Sequence, residues 1–210
     1  ARVKKVLSVV ASCAYPSEYF DGLTREVLHE EEFFDGPPHY SVACHGYAKR
    51  HLQLATSYYH KQYGLRAVCA CPTTLYGPGD SFEPGRTKVM GAMVKRFVDA
   101  VDNNEQEVTC WGTGNPMREF LYVEDAARLL IQVMLRYEDS SLPLNIGSGQ
   151  EFSIREVAET VGRGVGFSGN ITWDWSKPDG QYRKRLDPER LLQTLDYFPA
   201  YVFLETGVAH

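Results

Sequence analysis

Two runs in which nearly every residue is apolar, VLSVVAS at 6–12 and LRAVCAC at 65–71, constrain this chain most. A strand with one solvated face alternates apolar and polar residues. A run without alternation is buried on both faces, the condition of a parallel strand covered by helices. Between the two runs lies 41–63, with Ala48, Leu52, Ala55 and Tyr59 at helical spacing. Strand, helix and strand in that order predict two adjacent parallel strands joined by a crossover. A buried first strand needs neighbours on both sides, and no earlier segment supplies them. No GxGxxG follows a strand near the start, so the usual dinucleotide cradle is not read here. The expectation is the C-terminal portion of a larger α/β fold, or a sheet that something else completes.

The alternation continues downstream. Residues 75–85, LYGPGDSFEPG, have loop composition, 87–102 predict a helix, 107–111 a short strand and 112–116 a turn. Residues 123–137 predict a helix whose acidic first turn suits its positive end. A strand with a glycine turn follows at 142–149, then a helix at 153–166 opened by Ser153 and Glu156 at capping-box spacing. Residues 170–175 read as a strand and 188–195 as a short helix. Together these give an α/β chain with a mainly parallel sheet.

A net charge of −5 disfavours nucleic acid or an anionic membrane as partner, with Arg183, Lys184 and Arg185 a local basic exception. No apolar run is long enough to span a membrane. The cysteines are Cys13, Cys44, Cys69, Cys71 and Cys110, odd in number and without CxxC spacing. They read as reduced thiols, mostly core filler, of a cytoplasmic or other reducing compartment. Organellar import stays open where a transit peptide has been removed. No metal site is read.

Several stretches then point to one family: ASCAYP (11–16), YAKR (47–50), PTTLYGPGDSF (72–82), WGTGNPMREFLYVEDAA (111–127), NIGSG (145–149) and SKPDGQYRK (176–184). On them, in this order, the chain resembles the GDP-L-fucose synthases, NADP-dependent epimerase/reductases of the extended short-chain dehydrogenase class. The resemblance implies the C-terminal part of a Rossmann-like sheet, residues 1–80 with 119–149, and a smaller α/β substrate domain, residues 81–118 with 150–210. It also implies dimerisation through helices like 41–63 and 87–102, so that a lone stable monomer is not expected.

The chemistry of that family needs an acid and a base on either face of the sugar, then a proton donor beside the nicotinamide. The donor is a tyrosine, with a lysine four residues on that lowers its pKa and holds the cofactor ribose. Carried onto this sequence, Lys49 matches the lysine and His45 stands where the tyrosine belongs. Tyr47, two residues on, falls on a roughly opposite helix face. Cys13 matches the catalytic cysteine. Ala11 takes the place of the active-site serine, with Ser12 beside it facing away. Lys88 takes the place of the catalytic histidine and Thr74 that of an asparagine. Lys49, Thr74 and Leu75 are the implied cofactor contacts. Arg96, Trp111, Arg118 and Asp179 match positions that hold the GDP-sugar, where arginine forks suit a diphosphate and an indole suits a ring.

Each of these residues also has an ordinary reading. His45 is a solvated helix histidine, Cys13 a buried strand-end thiol, Lys49 a helix lysine and Lys88 an exposed one. Arg96 and Arg118 are surface or packing residues, Asp179 a turn residue and Trp111 a core side chain. The leading expectation is a degenerate member that binds no NADP alone and acts as a structural or interaction subunit with a protein partner or as a homo-oligomer. The alternative is a working GDP-L-fucose-forming reductase whose N-terminal part is supplied separately. A third reading is a GDP-sugar-binding module without chemistry.

Overall fold

The computed structural model describes residues 3–21, 25–83, 86–195 and 199–208. Its elements are β1 (Lys5–Val9), α1 (Ala43–Tyr63), β2 (Arg66–Pro72), β3 (Thr74–Tyr76), α2 (Val89–Asp102), β4 (Glu107–Trp111), β5 (Met117–Tyr122) and α3 (Val123–Arg136). There follow β6 (Leu144–Ile146), β7 (Glu151–Ser153), α4 (Ile154–Gly164), β8 (Asn170–Asp174), β9 (Arg183–Lys184), α5 (Glu189–Leu195) and α6 (Leu204–Val208). The fold is mixed α/β. Residues 84–85, at the end of the expected 75–85 loop, lie outside the described residues.

The two apolar runs are adjacent parallel strands, with Val6 opposite Ala67 and Val9 opposite Ala70. β6 lies parallel on the far side of β2, giving the order β1-β2-β6. A second sheet is built on β5, which pairs parallel with β3 and β9 and antiparallel with β7. β4 and β8 form a parallel pair of their own. Val68, Leu129, Val133, Leu144 and Leu191 form one core, α3 and α5 packing on the first sheet. Phe97, Val108, Phe120, Val157 and Val161 form another beneath α2 and α4. Complete burial of Phe97 alone is worth about 2–3 kcal/mol.

Two expectations need correction and one is borne out. The first strand ends at Val9 rather than at residue 12: Ala11 is extended, and Ser12–Ala14 turn as a 3-10 helix. Ser12 therefore does not alternate with Ala11 along a strand; the chain leaves the sheet to follow α1. The strand with a glycine turn expected in 142–149 is present as Leu144–Ile146 followed by the turn that begins at Gly147. On α1, the spacing of Ala48 and Tyr59 suggests a core face, yet both are exposed. The buried stripe is Gly46, Arg50, Gln53, Thr56 and Ser57. Hydrogen bonds make that polar stripe tolerable: Arg50 Nε donates to Ala14 O at 2.7 Å, Gln53 to Ser140 O and Ser141 O, and Thr56 to Ser8 Oγ.

Residues 12–21 and 25–40 have little periodicity and are built around short 3-10 turns. They are held by buried Asn145, which accepts from Tyr15 Oη at 2.8 Å, donates its amide to Leu28 O at 2.8 Å, and gives its backbone N–H to Glu30. Phe20, Leu28 and Phe33 anchor this layer over Cys69, Cys71 and Leu186. No helix of the described residues is long and apolar enough to cross a membrane.

Candidate active site

The end of β1 and the start of α1 meet at Cys13. A Cβ on Gly46 would stand 2.7 Å from Pro38 Cβ and 3.0 Å from the Cys13 carbonyl oxygen, so only glycine lets the helix approach this closely. One turn on, Lys49 Nζ donates to the Val9 carbonyl at 2.9 Å. That bond ties α1 to the last residue of β1. His45, next to Gly46, is exposed, as are Tyr47 and Lys88, the latter at the N-cap of α2. Ala11 is half-buried. Cys13 is half-buried too, and burial pushes its thiol pKa up. Three ammonium groups oppose that rise, Lys184 most strongly and then Lys88 and Lys49. Two of these lysines are expected from the sequence, whereas Lys184 is noticed there only as part of a basic patch.

The expected sugar-nucleotide residues converge. Arg96, Trp111, Arg118 and Asp179 line one cavity of about 300 Å³, floored by Val89, Met93, Cys110 and Ile154. Trp111, at the end of β4, is 63% exposed, which removes the core reading and leaves an open ring face. Lys177 Nζ lies 5.8 Å from that ring centroid. Arg96, on α2, donates to Thr109 O at 2.6 Å. Arg118 points its guanidinium along the 181–182 backbone, bonding to Gln181 O and, at 3.3 Å, to Tyr182 O. Burial lowers its pKa, opposed by Asp179. Asp179 accepts from Thr113 N at 2.7 Å and Thr113 Oγ1 at 2.8 Å, so it also staples the 176–184 loop to the Gly112–Gly114 turn. Neither arginine is in an ion pair among the described residues, so positive charge is left for an anion.

Leu75, expected to open the 75–85 loop, lies with Thr74 in a strand. They form β3, paired opposite Phe120 and Leu121, and both are half-buried. Their neighbour Thr73 donates to Glu119 O at 3.3 Å. Glu119 is fully buried. Its carboxylate accepts from Gly149 N at 2.7 Å and Leu186 N at 2.9 Å. A Cβ on Gly147 would collide with that carboxylate, which explains the glycine. The glycine turn that ends NIGSG, residues 147–149, is thus clamped by Glu119, while Asn145 and Ile146 belong to β6. The place of Glu119 in β5, beside Arg118 and just ahead of an apolar run, is the sequence signal that could reveal it. Among the described residues no three His, Cys, Asp or Glu side chains cluster as a metal site.

The model of the NAD dependent epimerase/dehydratase family matches residues 1–147. The chain is 39% identical over 189 residues to the Probable GDP-L-fucose synthase 1 of Oryza sativa subsp. japonica, covering 90% of this chain and 56% of that protein. It is 38% identical to the GDP-L-fucose synthase of Escherichia coli (strain K12), covering 99% of this chain and 65% of that one. Among solved structures, the GDP-L-fucose synthetase of Naegleria fowleri bound to NADP superimposes with a TM-score of 0.89 at 31% identity, over 99% of this chain and 64% of that one. The chain therefore spans a little over half to about two thirds of the length of these relatives.

Proposed function

Because the chain belongs to the NAD dependent epimerase/dehydratase family, we propose that it is a GDP-L-fucose synthase-type subunit that holds a GDP-sugar, is degenerate as a reductase, and acts as a binding and interaction subunit. One contrast carries this reading. Arg96, Trp111, Arg118 and Asp179 share a cavity, while the position that should donate a proton carries an exposed His45. In that cavity the arginine forks would take the diphosphate, Trp111 would pack on a ring, and Asp179 would accept from a sugar or base donor. Ala11, Thr74 and Lys88 are further departures from the serine, asparagine and histidine that the family resemblance implies at these positions.

NADP would supply hydride to a ketone. The residues present fit it incompletely: the Lys49 ammonium gives one of its three N–H bonds to the Val9 carbonyl and keeps two for a ribose, but no tyrosine stands one turn before it. No reduction step is therefore derived. Assembly belongs to the same proposal. Tyr47, Leu54, Tyr58, Tyr59 and Tyr63 on α1 and Val98 and Val101 on α2 are exposed apolar surface suited to a second copy or a partner subunit.

A second reading, an active epimerase/reductase with its N-terminal part supplied separately, is favoured by the ammonium groups around Cys13. Separate calorimetric titrations with GDP-fucose and NADPH distinguish the two. Binding of GDP-fucose alone is the expected result. Binding of neither removes the sugar-nucleotide part of the proposal. Binding of both, with turnover of the keto-sugar, establishes the second reading.

A further inference from the structure

Residues 175–180, between β8 and β9, are exposed along their whole length. They form a strap at the edge of the cavity, which Pro178 and Asp179 line together with Arg96, Trp111 and Arg118. At the start of the strap, Ser176 N and Oγ donate to Asp174 Oδ1 at 3.0 Å and 2.6 Å. Beyond its end, Tyr182 O accepts from Met117 N at 2.7 Å. Its middle is held by Thr113, whose N–H donates to Asp179 Oδ1 at 2.7 Å and whose hydroxyl donates to Asp179 Oδ2 at 2.8 Å. The direction of the second bond is fixed. Thr113 Oγ1 accepts from Asn115 N at 3.1 Å, and an ionised carboxylate only accepts, so the hydroxyl proton goes to Asp179. Thr113 is itself gripped from the other side, where Arg155 donates to its carbonyl at 2.8 Å while stacked 4.7 Å from the Trp173 ring centroid. A Cβ on Gly112 would collide with the Asp179 carboxylate, and one on Gly114 with the Trp173 ring. Thr113 is therefore the one side chain that the 112–114 turn carries.

We propose that Thr113 is the positioning residue of this cavity: it fixes the Asp179 carboxylate, and with it the 175–180 strap, in place for a bound GDP-sugar. Each carboxylate oxygen has two acceptor sites. Thr113 fills one site on each oxygen. The second site on each stays available to an N–H or O–H donor of the ligand. An exposed aspartate on an exposed loop would otherwise have to be ordered by the ligand itself, at a cost in affinity. The two bonds from Thr113 supply that order beforehand. The inference rests on reading the cavity as a sugar-nucleotide site and deepens it: Thr113 acts on the ligand only through Asp179.

The test is a double-mutant cycle in GDP-fucose binding, joined to an amide-exchange measurement that needs no nucleotide. Thr113→Val keeps the shape and the N–H but removes the hydroxyl, and should weaken GDP-fucose about three- to tenfold. Thr113→Ser keeps the hydroxyl and should bind like the native chain. In an Asp179→Ala background, Thr113→Val should cost no further affinity, because its effect runs through the carboxylate. Additive losses in the cycle, or a Thr113→Ser variant as weak as Thr113→Val, would overturn the proposal. Without nucleotide, Asp179→Ala should speed hydrogen exchange of the Thr113 amide about tenfold or more, read by NMR. An unchanged exchange rate would overturn it as well, and this arm still decides if Thr113→Val does not fold. Failure of the native chain to bind GDP-fucose removes the sugar-nucleotide reading instead, and the exchange rate then shows separately whether Thr113 holds Asp179.

Discussion

Glu119→Gln isolates the clamp that joins β5, the NIGSG turn and the strand carrying Lys184. The carboxylate accepts two backbone N–H groups, from Gly149 and Leu186, in a fully buried position. A glutamine keeps one acceptor oxygen but presents an N–H₂ to the other N–H. One charge-assisted bond, worth about 1.5–3 kcal/mol, is lost, and a buried donor is left unpaired. At neutral pH the expected cost is about 2–4 kcal/mol, a large share of the roughly 5–15 kcal/mol that holds a domain together. Urea unfolding followed by tryptophan fluorescence should show the midpoint falling by about 1–2 M with unchanged slope. The pH dependence has a definite sign. Burial raises the Glu119 pKa above the ordinary 4.5 despite its hydrogen bonds. The native chain therefore loses this group's stability as pH rises from the ordinary value through the raised one. Glu119→Gln lacks that decline, so the difference between the two proteins is largest below the window and narrows, without vanishing, as pH rises through it. A midpoint shift under about 0.3 M at neutral pH would refute the clamp.

Glu138, held by Arg66 and by Lys5 at 3.1 Å, has its carboxyl pulled down to about 2. Its contribution is present above 4.5 and is lost as pH falls toward 2, so an acid titration of Glu138→Gln should be flatter in that window. Phe97, fully buried between α2 and α4, should cost about 3–5 kcal/mol on truncation to alanine, measured by the same urea method. Trp111→Ala should weaken GDP-fucose about two- to tenfold without changing the unfolding midpoint, since ring packing is worth about 0.5–1.5 kcal/mol and the indole is exposed.

The parallel pairing of β1 with β2 was legible because unbroken apolar runs leave few alternatives. The capping box at Ser153 and Glu156 is present as its spacing implies, with Glu156 N to Ser153 Oγ at 3.1 Å. The cavity residues were legible only through resemblance, since the spacing of Arg96, Trp111, Arg118 and Asp179 shows nothing that would bring them together. The inward face of α1 was misread because its contacts are hydrogen bonds from Arg50, Gln53 and Thr56, which hydrophobic periodicity does not register. Residues 12–21 and 25–40 were illegible for a related reason: Tyr15, Leu28 and Glu30 are ordered by long-range bonds with Asn145, not by local pattern. Glu119 and Lys184 share that property. Each sits in a strand beside a second charged residue, Arg118 or Arg183, and its surroundings depend on what another segment lays beside it.

The central claim, that this chain keeps the sugar-nucleotide cavity but has lost the reductive proton donor, is tested most directly by repair. The chain is joined to the N-terminal part of the Escherichia coli relative. NADPH oxidation with the GDP-4-keto-6-deoxy sugar is then compared between the hybrid as it stands and the same hybrid with His45→Tyr, Ala11→Ser and Lys88→His. Losing one general acid costs about a hundred- to ten-thousandfold in rate. The unrepaired hybrid should therefore fall at least about a hundredfold below the repaired one, while both bind GDP-fucose alike. If the unrepaired hybrid already oxidises NADPH near the relative's rate, His45 is a competent acid and the degenerate reading is wrong.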